Sequence, residues 1–320
     1  MQTLKKIALG LGLWAAAAVA FAQVDKPVRL LVGFAPGGSA DIAARLLADR
    51  MKDELKQSVV VENRPGAGGR IVAEAIRNGP ADGSLLMLTP IVVTVLAPLV
   101  FTKLPYDPLV DFAPVAHVAN FQFGLSVAAT HPARNVQDLV DWWKANKPMA
   151  NYGSPAPGSL PHFFGVMIER SAGVDLVHVP YNGGGPLMNA VMGNQVSSGI
   201  DTLVDQIELH RTGKIRLIAT SGAQRSPLLP EVPTFGEGGL KGVEGTSWFA
   251  VYAPAKTPDA TVRQLNASIN KALAVPELRE RFSKLGLEPT GGTPADLSAR
   301  MAQDSARWSP VVKASGFKAD

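Results

Sequence analysis

The stretch VRLLVGFAPGGSADIAARLL, residues 28–47, constrains the fold of this chain more tightly than any other. Residues 28–34 are almost wholly apolar, as in a strand covered on both faces. A Pro/Gly/Ser turn follows at once, and then Ile42, Leu46, Leu47 and Leu55 recur at helical spacing. A strand buried on both faces needs helices above and below it, so the stretch calls for an open α/β sheet. The pattern continues with a strand at 58–62, which holds three valines, a short helix at 71–77 and a strand at 85–88. It then restarts, with strands at 123–128, 149–152 and 176–179 separated by helices at 135–146 and 160–171. Gly185-Pro186 opens a further helix that Gly193 closes. Strands alternating with helices predict parallel pairing within each sheet.

The C-terminal part changes character. Thr257-Pro258-Asp259 is expected to cap a helix reaching residue 274, Pro276 to start another that stops before Gly286, and Thr293-Pro294-Ala295-Asp296 to cap a third. The strand WFAVY at 248–252 carries the chain back into the first α/β unit, so residues 23–122 with 248–320 are expected to form one lobe and 123–247 the other.

The N-terminus supports two lobes. Lys5 and Lys6 precede an apolar run over 7–20, and Ala20 and Ala22 flank Phe21, the pattern of a secretory signal peptide at 1–22 cleaved after Ala22. The run is shorter than the ~20 residues of a membrane-spanning helix. Cleavage leaves 320 − 22 = 298 residues, more than one core usually serves. An exported chain without cysteine is stabilised by burial rather than cross-links, which fits a bacterial periplasm. Loss of Lys5 and Lys6 takes the formal charge from 31 − 27 = +4 to 29 − 27 = +2, and no basic run remains to hold nucleic acid.

Two glycine-rich turns invite a nucleotide reading that their residues do not support. Residues 33–41 lack the Gly-Lys-Ser/Thr ending of a phosphate loop, and Ile71 stands where a dinucleotide fingerprint has its third glycine. What remains is backbone chemistry: first-turn amides have no intrahelical acceptor, and the dipole makes that end partly positive, so the turn suits a carboxylate. The bland alternative is that Ser39 caps its own helix. Asp41 would repel an anion beside it unless it folds back onto backbone amides, so it is read as shaping the loop. Residues 152–162, YGSPAPGSLPH, repeat the device with Ser154 and Ser159. Both turns follow strand ends, where open α/β sheets bind ligands. His117, His131, His162, His178 and His210 are scattered, no serine elbow exists, and Ser159 with His162 is spaced for capping. No catalytic residue, metal site or cofactor is expected.

FAPGGSAD, VVVENRPGAGG, LPYDPLVDFAPV, NYGSPAPGS, VHVPYNGGGP, RSPLLPEVPT and SWFAVYAPAKTP, in that order, resemble the Bug-type periplasmic solute-binding proteins of tripartite tricarboxylate transporters. The resemblance covers essentially all of the mature chain. It implies a two-lobed, type II-like periplasmic binding protein whose lobes close by a hinge over a small carboxylated ligand. A dicarboxylate, an amino acid or an aromatic acid all suit it, and the partner it implies is an inner-membrane permease served by a monomer. The ligand-binding residues it implies are Phe34, Ala35, Pro36, Gly37, Gly38, Ser39 and Asp41 from the first turn, and Thr89, Pro90 and Ile91 after the third strand. From the second lobe come Ser154, Pro157, Gly158, Ser159 and His162, with Tyr181 and Asp201. The loop 89–98 departs from the polar Ser/Asn/Thr-rich loop usual in the family: it is mostly apolar, so it either lines the cleft for an apolar ligand body or is core. Asp201 accepts from a ligand ammonium or hydroxyl, or only from neighbouring amides. A sensory protein serving a membrane kinase is the alternative function, with a secreted hydrolase behind it.

Overall fold

The computed structural model describes residues 26–319, and the signal-peptide reading at 1–22 lies outside the described residues. The first sheet contains β1 (Val28–Val32), β2 (Val59–Asn63), β3 (Leu85–Pro90), β4 (Phe112–Phe121), β10 (Ser247–Pro254) and β11 (Leu287–Pro289), in the order β11-β4-β10-β3-β1-β2. The second contains β5 (Phe123–Ala128), β6 (Asn151–Ser154), β7 (Val177–Pro180), β8 (Gly199–Thr202) and β9 (Ile215–Thr220), in the order β7-β6-β8-β5-β9. Helices α1 (Ser39–Leu55), α2 (Arg70–Arg77), α3 (Ala97–Val100) and α4 (Pro108–Asp111) accompany the first sheet. Helices α5 (Val136–Ala145), α6 (Leu160–Ala172), α7 (Gly184–Met192) and α8 (Leu203–Arg211) accompany the second, and α9 (Asp259–Ala274), α10 (Pro276–Lys284) and α11 (Pro294–Ser315) end the chain. The fold is α/β and two-lobed.

Local sequence explains the elements that frame the cleft. β1 buries four of its five residues, and α1 turns Ala43, Ala44, Leu47, Ala48, Met51 and Leu55 inward. Gly33 packs so close to the glycine cluster at 66–69 that a methyl group there would lie 2.5 Å from Gly69 Cα. The second glycine cluster therefore has a packing role, supporting the turn above it.

The expectation of parallel sheets needs correction. β1 runs parallel to β2 and β3, and β6 to β7 and β8, but β10 is antiparallel to β3 and β4, and β5 to β8 and β9. The crossings between lobes are the cause. β4 ends at Phe121 and β5 begins at Phe123, so only Gln122 joins them, and the returning β10 starts where β4 ends, with Ser247 opposite Phe121. A strand that starts where its neighbour stops must run the other way. Ser221 ties the crossing together: its Oγ accepts from Phe123 N at 3.0 Å and donates to Gly245 O at 2.6 Å.

The expected cap at Thr257 is also corrected. Helix α9 begins after Pro258 without a side-chain cap, and Thr257 Oγ1 is buried without a partner. At α11 the capping box forms as expected, with Thr293 and Asp296 bonded reciprocally.

Candidate functional site

At the end of β1 the chain turns through Gly37, whose φ of 81° suits glycine, and enters α1 after Gly38. Asp41 holds this turn: Gly37 N donates to its Oδ2 at 2.9 Å, and Arg45 Nε donates to the same oxygen at 2.9 Å. Burial pushes the Asp41 carboxyl up, but Arg45, Gly37 and Asn63 outweigh it and hold the group below the usual range. Asp41 is thus a charged brace for the loop, as its position in the first helical turn predicted. Ser39, by contrast, does not cap its own helix. Its amide and hydroxyl lie close to Asp205, on the opposite lobe, and draw that carboxyl's pKa down.

The second turn is braced from behind. Ser159 Oγ donates to Ala156 O at 2.6 Å, and Ser154 Oγ lies 3.1 Å from Ala156 O and 2.7 Å from His178 Nε2. Gly158 N donates to His162 Nδ1 at 3.0 Å, and the rings of His162 and His178 stack with centroids 4.0 Å apart. Burial pushes His162 down to about 4 and, with help from His162, His178 to about 3, so both are neutral near pH 7. His162 meets Gly158 rather than the Ser159 hydroxyl, as befits a structural role.

The two turns face each other across a cavity. Of the residues singled out in the sequence, Phe34, Ala35, Gly38, Ser39, Pro90, Ser159 and Asp201 line it. Pro157 and Tyr181 line a small neighbouring space that also touches Phe34. Pro36, Gly37, Asp41, Ser154, Gly158 and His162 do not line the main cavity, and neither do Thr89 and Ile91, which are buried. In the apolar loop the wall is Pro90 and Val92, while Ile91, Val93, Val95 and Leu96 are core. Both readings of that loop are therefore realised, at different residues.

Sequence reasoning missed Phe121, Phe123 and Phe249, whose rings form a contiguous apolar wall, with Phe121 centroids 4.4 Å from Phe249 and 5.4 Å from Phe123. It also missed Asp205. The phenylalanines flank the lobe crossings, which have no local signature, and Asp205 was legible only as the second acid of DTLVD.

A model of the tripartite tricarboxylate transporter family receptor matches residues 43–317. The chain belongs to this family. It is 32% identical over 294 residues to Protein BugT of Bordetella pertussis, covering 92% of this chain and 90% of that one. Among solved structures, Rpa4515 of R. palustris with adipate is 34% identical with a TM-score of 0.89, covering 92% of this chain and 98% of that one. MatC from Rhodopseudomonas palustris with bound malate is 29% identical with a TM-score of 0.84, covering 90% and 99%.

In this receptor the polar end of the cleft is acidic. Thr202 N donates to Asp201 Oδ1 at 2.8 Å and Thr202 Oγ1 to Asp205 Oδ2 at 2.9 Å. Both carboxylates converge on Gly184, where a methyl group would lie 2.4 Å from Asp205 Oδ2 and 2.6 Å from Asp201 Oδ2. Burial, then Asp205, push Asp201 well up, and burial pushes Asp205 to about 6 despite donors from Thr202 and Ser39. Asp201 is buried and Asp205 half-buried, and two carboxyls this close and this shielded resist ionising together. The cleft therefore combines helix-start amides, an apolar wall and an acid pair.

Proposed function

We propose that this receptor is an extracytoplasmic, periplasmic protein that takes one small carboxylate between its lobes, closes over it and presents it, as a monomer, to a membrane permease. The observation that carries this reading is the convergence of two strand-to-helix turns, one from each lobe, on a single cavity. Rpa4515 holds adipate and MatC holds malate, so ligands of this chemistry suit the fold. The ligand carboxylate is assigned to the first turns of α1 and α6, where amides lack helical acceptors. Phe34, Ala35, Gly38, Pro90 and Ser159 form the grip, Ser39 faces Asp205 across the cleft, and Pro36, Gly37, Asp41, Ser154, Pro157, Gly158, His162 and Tyr181 support it. Residues 23–122 with 248–320 and 123–247 are taken as the moving lobes. A ligand bonded to both lobes stabilises closure by its differential affinity for the closed state.

Ser39→Pro tests the assignment. Proline is favoured at the first helical position, and the preceding Gly38 is extended (ψ 169°), so the helix start is kept while the amide and hydroxyl that face Asp205 across the cleft are lost. Calorimetric titration with adipate, malate and 6-aminohexanoate identifies the tightest of the three. Its affinity is expected to fall at least tenfold in Ser39→Pro, and wild-type affinity in that variant would sink the site assignment.

A further inference from the structure

A carboxylate receptor has little evident use for two acids at the polar end of its cleft, and the way they are held is informative. Asp201 is 1% exposed and lines the cavity, its Oδ1 is satisfied by Thr202 N, and its Oδ2 has no hydrogen-bond partner. A buried carboxylate oxygen without a donor is costly unless something brings one. Asp205 accepts from the Thr202 hydroxyl and has no cation among its described partners. Among the residues lining the cavity, these two are the ionisable ones.

The surrounding elements supply no countercharge. Helix α7 and strand β5, which pack against the pair, carry no ionisable side chain; on β9 Arg216 is held by the Ala129, His131 and Ala133 carbonyls, and on α6 Arg170 donates to Ala314 O. On α1, Asp41 is occupied by Arg45. On β6, Tyr152 donates to His162 O at 3.0 Å. Farther along α8, Glu208 pairs with Arg211, and His210 Nδ1 accepts from Leu217 N with Nε2 beside Glu231.

Resting on the carboxylate-receptor reading above, we propose that Asp201 and Asp205 are the seat for a protonated amine on the ligand, so that this receptor takes ammonium-bearing carboxylates with an apolar body in preference to simple mono- or dicarboxylates. The ammonium supplies the donor that Asp201 Oδ2 lacks and the positive charge that lets both acids ionise together, while the phenylalanine wall covers the carbons between the two ends. A second carboxylate in place of the amine would add a like charge beside a buried acid pair. Ionising both acids together releases any proton they share, so binding is coupled to proton release.

The test is calorimetric titration of the full mature chain at pH 7 with matched acids. The probes are 6-aminohexanoate, hexanoate and adipate; 4-(aminomethyl)benzoate, 4-methylbenzoate and terephthalate; and leucine with 4-methylpentanoate. Within at least one set the ammonium acid is expected to bind at least tenfold tighter than its partners, with proton release seen as a binding enthalpy that depends on the buffer's ionisation enthalpy. In Asp201→Asn, with its unfolding midpoint measured alongside to confirm folding, the ratio is expected to collapse towards one. Hexanoate, 4-methylbenzoate or a dicarboxylate binding as tightly as the ammonium acids overturns the inference and leaves the carboxylate-receptor reading standing. Failure of every acid, with or without an amine, overturns both.

Discussion

At the residue scale, the acid pair leaves a signature in the ligand-free protein. The Asp205 carboxyl, pushed up to about 6 chiefly by burial, has an unfolded value of ~3.9. A group with a raised folded pKa stabilises fully below its unfolded pKa, and that contribution is lost as pH rises through the folded one. The wild type is thus expected to lose stability relative to Asp205→Asn between about pH 4 and 6. Urea midpoints of both proteins at pH 4, 5, 6 and 7 check this, and a gap that stays constant over that window contradicts it. Asp201 was legible in the sequence because it follows a strand-like Gly-Ile at a cleft position of the family. Asp205 was not, since an acid in the first turn of a helix is ordinary and only the tertiary placement of Ser39 and Gly184 gives it a role.

At the element scale, the turn into α1 depends on one buried carboxylate. Asp41→Ala removes the acceptor of both Gly37 N and Arg45 Nε, at a cost of about 2 kcal/mol, and frees the glycine turn that presents Ser39. The expected result is lower stability together with weaker binding. Thr293→Ala, which breaks the capping box of α11, costs about 1 kcal/mol and leaves binding as it was. Unfolding midpoints and titrations of the two variants separate the roles, and equal losses of affinity would contradict the bracing role of Asp41. Helix starts such as these were legible because capping chemistry is local. β4 was not, because Pro114 and the polar His117 and Asn120 break its apolar pattern, and the register shift beside Tyr252, which faces Pro114, accommodates the proline.

At the scale of the whole molecule, two glycine-rich helix starts, each plausible as a mere turn, become a site only because the chain crosses between sheets at Gln122 and returns before Ser247. The crossing brings Phe121, Phe123 and Phe249 into one wall, and residues distant in sequence cannot announce that meeting locally. The two-lobed α/β class was legible from the repeated strand–turn–helix order, whereas the antiparallel strands were not, because local pattern does not encode strand direction. Capture of a carboxylate between the lobes is the central claim. Thermal unfolding of residues 23–320 against small carboxylates, the ammonium acids included, with their amides and esters as controls tests it most directly. A ligand at ~100 times its dissociation constant adds ~2.7 kcal/mol, which moves the midpoint of a chain this size by several degrees. A rise that disappears on amidation is the predicted result, and equal rises with acid and amide, or no rise with any carboxylate, would contradict it.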